Sequence, residues 1–267
     1  MKLDVLLSCM HQTDTSLISK TMIKGDAIII NQCEIDNVEQ VQMQFGVAKV
    51  FSTRSRGLTK SRNMAISLSD GDICLLCDDD EILVEGYERI IVDTYRSMPE
   101  ADIIAFDLLN HECTLDKKVQ ELKFPKIMKI CSCQITFRRK PIVDNGIRFD
   151  ELLGAGTGNG AEEELKFLSD CRRANLKIYY VPIVIAEIES NESTWFSGFD
   201  ELFFENRGAT TRYILGFVLS SAYAVYYLIK EYKLYSSQIT ITKAFKAIFK
   251  GIFKNKIGKQ AKSRKVK

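Results

Sequence analysis

Ile73-Cys74-Leu75-Leu76-Cys77 is an unbroken apolar run that ends in four acids, Asp78-Asp79-Asp80-Glu81. Five apolar residues bounded by polar ones describe a strand buried on both faces, the signature of a parallel sheet. Adjacent carboxylates at its mouth repel one another and cost stability unless a cation neutralises them. Hard divalent cations take oxygen ligands, and Mg²⁺ accepts one or two carboxylates and completes its shell with phosphate oxygens. Asp78 and Asp80 are one residue apart, so in an extended segment they point the same way. One of them is then free to hold a metal and the other a ribose hydroxyl or a metal-bound water. The plain alternative is a solvated acidic turn with Glu81 opening a helix.

Outward from this stretch, apolar runs alternate with helix-like segments. Strands are expected at Leu3–Cys9, Ala27–Ile30, Val47–Phe51, Ile73–Cys77 and Ala101–Leu109. A short helix follows Asp14, and longer ones cover Gly57–Leu68 and Val84–Arg96. This order predicts an α/β protein with a Rossmann-like, mostly parallel sheet flanked by helices. Ligands in such sheets bind beyond the carboxyl ends of the strands. Further strands are expected over Lys126–Arg138 and over Lys177–Val181, closed by Pro182, with a helix over Glu162–Ala174. Gly154 to Gly160 holds four glycines in seven residues and is read as a turning loop.

These segments resemble family 2 glycosyltransferases of the GT-A fold. Asp78-Asp79-Asp80 resembles the family's Asp-x-Asp motif after the fourth strand. Gly57-Leu58-Thr59-Lys60-Ser61-Arg62-Asn63 resembles its Gly-x-x-x-x-Arg-Asn helix. Asn145-Gly146-Ile147-Arg148-Phe149-Asp150-Glu151 resembles its Gly-x-Phe-Asp-Glu stretch, and Glu163-Glu164 the Glu-Asp pair opening a late helix. The resemblance covers residues 3–190 in order and implies an inverting, metal-dependent sugar transfer from a nucleotide-sugar donor, UDP-linked, to an acceptor hydroxyl. It implies Glu164 as the base, with Glu163 its neighbour competitor, and donor contacts from Ser8, Asn31, Lys60, Arg62, Asn63 and Asp78. It assigns a Mn²⁺ or Mg²⁺ ion to Asp78 and Asp80. Two positions depart from the pattern: Asn31 replaces an Asp that grips uracil, and Glu164 replaces a catalytic Asp. Neither His11 nor His111 lies where some relatives supply a histidine to the metal.

Composition bounds the rest. At 267 residues, 46% hydrophobic and 27% charged, the chain is an ordinary globular protein. The amino end shows no basic-then-apolar leader, which predicts a cytoplasmic protein with its eight cysteines reduced. Cys74 and Cys77 face opposite sides of a strand, which argues against shared zinc. Residues 230–267 carry eleven Lys and one Arg against one Glu, leaving the body acidic. Domains are expected at 1–190, catalytic, and 191–267, a C-terminal helical extension. Trp195, Phe196 and Phe199 are read as core aromatics or as a sugar-stacking platform. Tyr213–Ile229 is apolar but at the short limit for a bilayer span and is read as buried or interfacial. Phe245, Ile248, Phe249, Ile252 and Phe253 recur at helical spacing opposite Lys243, Lys246, Lys250 and Lys254. That pattern predicts a helix lying on the anionic inner face of the cell membrane, or else docked on the protein itself.

The expected role is synthesis of a surface polysaccharide or glycolipid from a glycan or lipid-linked acceptor, with no nucleic-acid partner. Two other readings remain. One is a catalytically silent membrane adaptor of the same fold. The other is a sugar-phosphate nucleotidyltransferase, disfavoured because the loop Ser8–Asp14 has no glycine.

Overall fold

The computed structural model describes residues 1–110, 114–159, 162–189 and 198–265. From the amino end its elements are β1 (Leu3–Met10), α1 (Ser16–Lys20), β2 (Ala27–Gln32), β3 (Asn37–Gln42), β4 (Val47–Thr53), α2 (Leu58–Leu68), β5 (Ile73–Asp78), β6 (Glu81–Leu83), α3 (Tyr87–Ser97) and β7 (Ile103–Leu109). There follow β8 (Gln120–Glu121), β9 (Ile135–Arg138), α4 (Arg139–Asp144), α5 (Glu163–Arg173), β10 (Ile178–Ile188), α6 (Glu201–Lys230), α7 (Tyr232–Tyr235), α8 (Ile241–Lys254) and α9 (Lys256–Lys265). Two compact units result: Met1–Phe149 with Phe167–Asn191, and Asp150–Lys166 with Glu192–Lys267.

The first unit is built on one sheet of order β3-β4-β2-β1-β5-β9-β7-β10-β6, with β8 added to β10. β1, β2, β4 and β5 are parallel, and their apolar runs are buried because helices cover the sheet. Connections from β1 step outward to β2 and β4, then return to its other side for β5. The switch point lies between β1 and β5, where open α/β sheets bind ligands. Register puts Ser8 of β1 beside Asp78, Cys9 beside Asn31, and Asn31 beside Ser52. The polar carboxyl edge is therefore assembled by pairing of buried strands.

Three local expectations change. Lys126–Arg138 is not one strand: it makes two 3-10 turns, Lys126–Lys129 and Ser132–Gln134, before β9. Pro182 does not end its strand, since β10 runs through it to Ile188. Its pairing with β7 shifts register between Tyr180 and Val184, and such a bulge accommodates a residue without an N–H. β3 is an added antiparallel strand at the sheet edge, mostly exposed and without an apolar run. The described cysteines are free thiols.

The second unit gathers residues 150–166 with the C-terminal helices, so the expected division at 190 does not follow the packing. The reason is polar: Tyr213 Oη donates to Asp150 (2.5 Å), Thr210 Oγ1 to the Asn159 carbonyl (2.9 Å), and Asn159 Nδ2 to Gln260 (3.0 Å). Trp195 and Phe196 lie outside the described residues. Phe199 packs edge-on against Phe203, with ring centroids 5.1 Å apart, in the core of this unit.

α6 is broken at Gly216, whose φ of 80° and ψ of −178° suit glycine almost alone. The segment beyond, 217–230, is about 21 Å long. A bilayer's hydrocarbon core is roughly 30 Å thick, so this segment does not reach across it. α6 and α8 cross at two glycines. A Cβ on Gly208 would stand 2.0 Å from the Ile248 carbonyl oxygen, and one on Gly251 2.0 Å from that of Glu205. Backbone fills the space, so no rotamer change relieves the clash. Gly208→Ala is expected to destabilise the protein by about 3 kcal/mol, within the range of overpacked cores. Urea denaturation checks it; an unchanged midpoint would show that the crossing is looser than described.

Candidate active site

Asp78 closes β5, and residues 79 and 80 turn the chain into β6, which begins at Glu81. The extended reading therefore fails after Asp78, and Asp78 and Asp80 are not same-face neighbours on one strand. Asp78 is held from inside. The buried Arg62 guanidinium donates to both carboxylate oxygens at 3.1 and 3.2 Å, and Ser132 Oγ donates to Oδ2 at 3.0 Å. Arg62 also stacks over Phe149, 5.4 Å to the ring centroid. It fixes Asp78 rather than reaching for phosphate. Loss of one partner of such a buried pair costs about 3–5 kcal/mol, so Arg62 is part of the frame.

The two acids of the turn differ from Asp78. Asp79 and Asp80 are half-buried, and both carboxyls are pushed above the ordinary carboxylate range, first by desolvation and then by the charge of Asp78. Glu81 is wholly buried and raised well above its usual value for the same two reasons, while Oε2 accepts the Asp78 N–H at 3.2 Å. Among the described residues no three His, Cys, Asp or Glu side chains converge as a complete metal cage. The donor set is all carboxylate oxygen, half open to solvent and electrostatically strained. That fits a hard cation held by Asp80, backed by Asp78, with its shell completed by a ligand's oxygens.

A cleft of about 550 Å³ lies at the carboxyl ends of β1, β2 and β4, and its lining does not include the four acids. Cys9, Ile29 and Val50 line it from these strands, and residues 11–15 from the loop after β1. Burial, with the nearby charge of Asp79 adding to it, pushes the Cys9 thiol up to about 12, which keeps it a neutral wall. Asn31 also lines the cleft, but its carboxamide is tied to one residue of that loop. Its Oδ1 accepts the Gln12 N–H at 3.0 Å, and its Nδ2 donates to the Gln12 carbonyl at 2.9 Å and to Ser52 Oγ at 3.3 Å. A carboxamide meets a backbone donor and acceptor at once, which an ionised carboxylate cannot, and this gives the Asn at this position a physical reason. Asn31→Asp is expected to cost about 1–2 kcal/mol, since its charge would face a carbonyl. Thermal unfolding measures this, and an unchanged melting temperature would remove the pinning role.

The other sequence-assigned residues distribute unevenly. Ser8 is buried and its Oγ accepts a hydrogen bond from Ser61 Oγ at 2.9 Å, joining β1 to α2. Asn63 clamps the Phe149 backbone with both polar atoms, at 2.8 and 2.9 Å, so it positions the chain and is spent on that. Lys60 is exposed. Glu163 and Glu164 open α5 in the second unit; Glu163 is buried and Glu164 half-exposed. Just before them Glu162, at φ 80°, pairs with Arg207 of α6 at 3.1 Å. Arg207 lies over Tyr227 (4.2 Å) and Phe203 (5.4 Å). Sequence reasoning missed this aromatic-cased arginine and the roles of Gln12 and Ser52, whose partners are distant in the chain.

A cleft at the carboxyl edge of a mostly parallel sheet, with an acidic turn after β5 on the same edge, belongs to an open-sheet α/β protein. The chain belongs to the glycosyl transferase family 2, whose sequence model matches residues 8–142. Its fold is similar to that of S. aureus TarS. For TarS 1–349 in complex with UDP-GlcNAc the TM-score is 0.59 at 15% identity, covering 89% of this chain and 74% of that one. For TarS 1–349 in complex with UDP it is 0.55 at 16% identity, covering 79% of this chain and 65% of that one. Against a longer TarS structure the TM-score is 0.55 at 15% identity, and the chain covers 39% of that chain's length. These likenesses establish the GT-A arrangement. No curated protein matches the chain.

Proposed function

We propose that the protein transfers a sugar from a UDP-sugar to an acceptor hydroxyl with inversion, in the synthesis of a surface polysaccharide or glycolipid. The observation that carries this reading is a cleft of about 550 Å³ at the same carboxyl edge of the sheet that ends in the acidic turn, in a chain of family 2. The TarS structures that share the fold hold UDP and UDP-GlcNAc, which supports the choice of donor. The nucleoside is expected against the loop pinned by Asn31, with its diphosphate directed to the turn at Asp80. Mn²⁺ or Mg²⁺ on Asp80 would supply charge neutralisation for a departing diphosphate.

Glu164 is the better base of the neighbouring pair because it is accessible while Glu163 is buried. Its carboxylate takes the acceptor proton as the hydroxyl oxygen bonds to the anomeric carbon. The bond from that carbon to the phosphate oxygen breaks, and UDP leaves with the electron pair. Attack opposite the leaving group inverts the centre.

Nucleotide release from UDP-, GDP- and dTDP-sugars, with Mn²⁺ and with or without chelator, tests the whole reading. Turnover with a UDP-sugar that chelator abolishes is the expected result. A different nucleotide corrects the donor, turnover in chelator removes the cation, and no release with any donor supports a silent adaptor at the membrane.

A further inference from the structure

The sequence pattern assigned one apolar stripe of the C-terminal helix to a membrane. The structure divides that stripe between two surfaces. Ile248 and Ile252, with Ala244 and Ala247, are buried in the core of the second unit beneath α6. Phe245 and Phe253 turn away from it and are exposed, while Phe249, packed against that core, joins them in a ladder with centroids 4.5 and 6.3 Å apart along the helix. Phe217 joins the ladder at Phe253, 5.7 Å between centroids. It also opens the short segment that follows the break at Gly216. Val218, Val225 and Ile229 lie on one face of that segment, and Val218 and Ile229 are 76% and 69% exposed. A joined apolar surface of this kind marks an interaction site.

Its rim is basic. Lys230 and Lys233 follow the segment, and Lys243 and Lys246 flank the ladder, all exposed. Lys250 and Lys254 are instead occupied by Glu205, at 2.6 and 2.8 Å. In a twofold pairing of chains the same patch meets itself, bringing lysine rim against lysine rim. An anionic lipid surface offers hydrocarbon to the aromatic centre and phosphate to the rim. At about 21 Å the segment beyond Gly216 is shorter than a bilayer's hydrocarbon core of roughly 30 Å, which favours lying in the interface.

We propose that the face formed by Phe217, Val218, Val225, Ile229, Phe245 and Phe253 docks the enzyme on an anionic bilayer. The proposal names the membrane surface for the transferase read above, and its test reads binding alone, so it fails or stands separately from sugar transfer.

Full-length protein is sedimented with vesicles of phosphatidylcholine alone or with one third phosphatidylglycerol. The expected result is strong binding to the anionic vesicles and about tenfold weaker binding to the neutral ones. Two variants, Val218→Ser/Val225→Ser/Ile229→Ser and Phe245→Ser/Phe253→Ser, are each expected to lower anionic-vesicle binding by about tenfold or more. Lys243→Glu/Lys246→Glu alters only exposed charges and should cut binding while leaving circular dichroism unchanged, which guards against misfolding of the serine variants. No binding to anionic vesicles overturns the proposal, and so does binding indifferent to all three variants. A stable dimer in solution that the serine substitutions dissociate overturns it in favour of a second copy of the chain.

Discussion

Asp80→Asn is expected to abolish sugar transfer while making the cation-free protein harder to melt. Both effects come from one charge. The Asp80 carboxyl is raised above its ordinary range by desolvation and by Asp78, so its ionised form is disfavoured in the folded state. A carboxyl whose folded pKa is raised weakens the fold at pH values above that pKa, and at neutral pH removal of the charge removes the penalty. Asparagine is nearly isosteric and leaves the turn between β5 and β6 intact. The same substitution takes away the carboxylate assigned to the cation and should slow transfer at least about a thousandfold. Differential scanning calorimetry with and without Mn²⁺ separates the two consequences. The native protein should melt higher with Mn²⁺, and the variant should melt higher than the native protein without it and ignore the ion. If the variant still responds to Mn²⁺ and still turns over, the acidic turn is merely a solvated loop.

Glu164→Gln should lower kcat by about 10²–10⁴-fold, the usual contribution of a positioned base, with the melting temperature and UDP affinity unchanged. Glutamine keeps the length and the hydrogen-bonding outline of the side chain but takes no proton. Glu163→Gln is the companion. Glu163 is buried at the helix start, so its substitution should act on stability before rate. Reversal of the two outcomes would move the base by one residue; near-normal turnover in both would remove the carboxylate base from this loop. Retained UDP binding in either variant shows that the donor site is independent of the base.

Much of this architecture was readable in the chain because buried parallel strands must be apolar along their whole length. Ile73–Cys77 and Ala27–Ile30 announce themselves, and the acids after Cys77 are conspicuous because four in a row separate that run from Ile82. β3 was not readable: at the sheet edge it is exposed, so burial leaves no pattern in Asn37–Gln42. Ile127, Met128 and Ile130 are apolar enough for a strand, yet the chain curls into 3-10 turns there. In α8 the helical period correctly grouped the apolar residues. Period alone does not say what covers each of them, and Ile248 went inward while Phe253 stayed out. At the candidate site the residue types were visible and their occupations were not. Asn31, Arg62 and Asn63 have polar atoms bound to Gln12, Asp78 and Phe149, and those partners are distant in sequence or unremarkable as types.

The Arg207–Glu162 pair has a practical bearing on how short this protein can be made. Trimming the chain near residue 190, to keep the sheet and discard the apolar tail, would remove the arginine that neutralises Glu162 and the helix that carries Tyr213 and Thr210, the donors to Asp150 and Asn159. The stretch leading into Glu163 and Glu164 would then lose its anchor. A shortened chain that keeps this stretch in place must therefore retain α6.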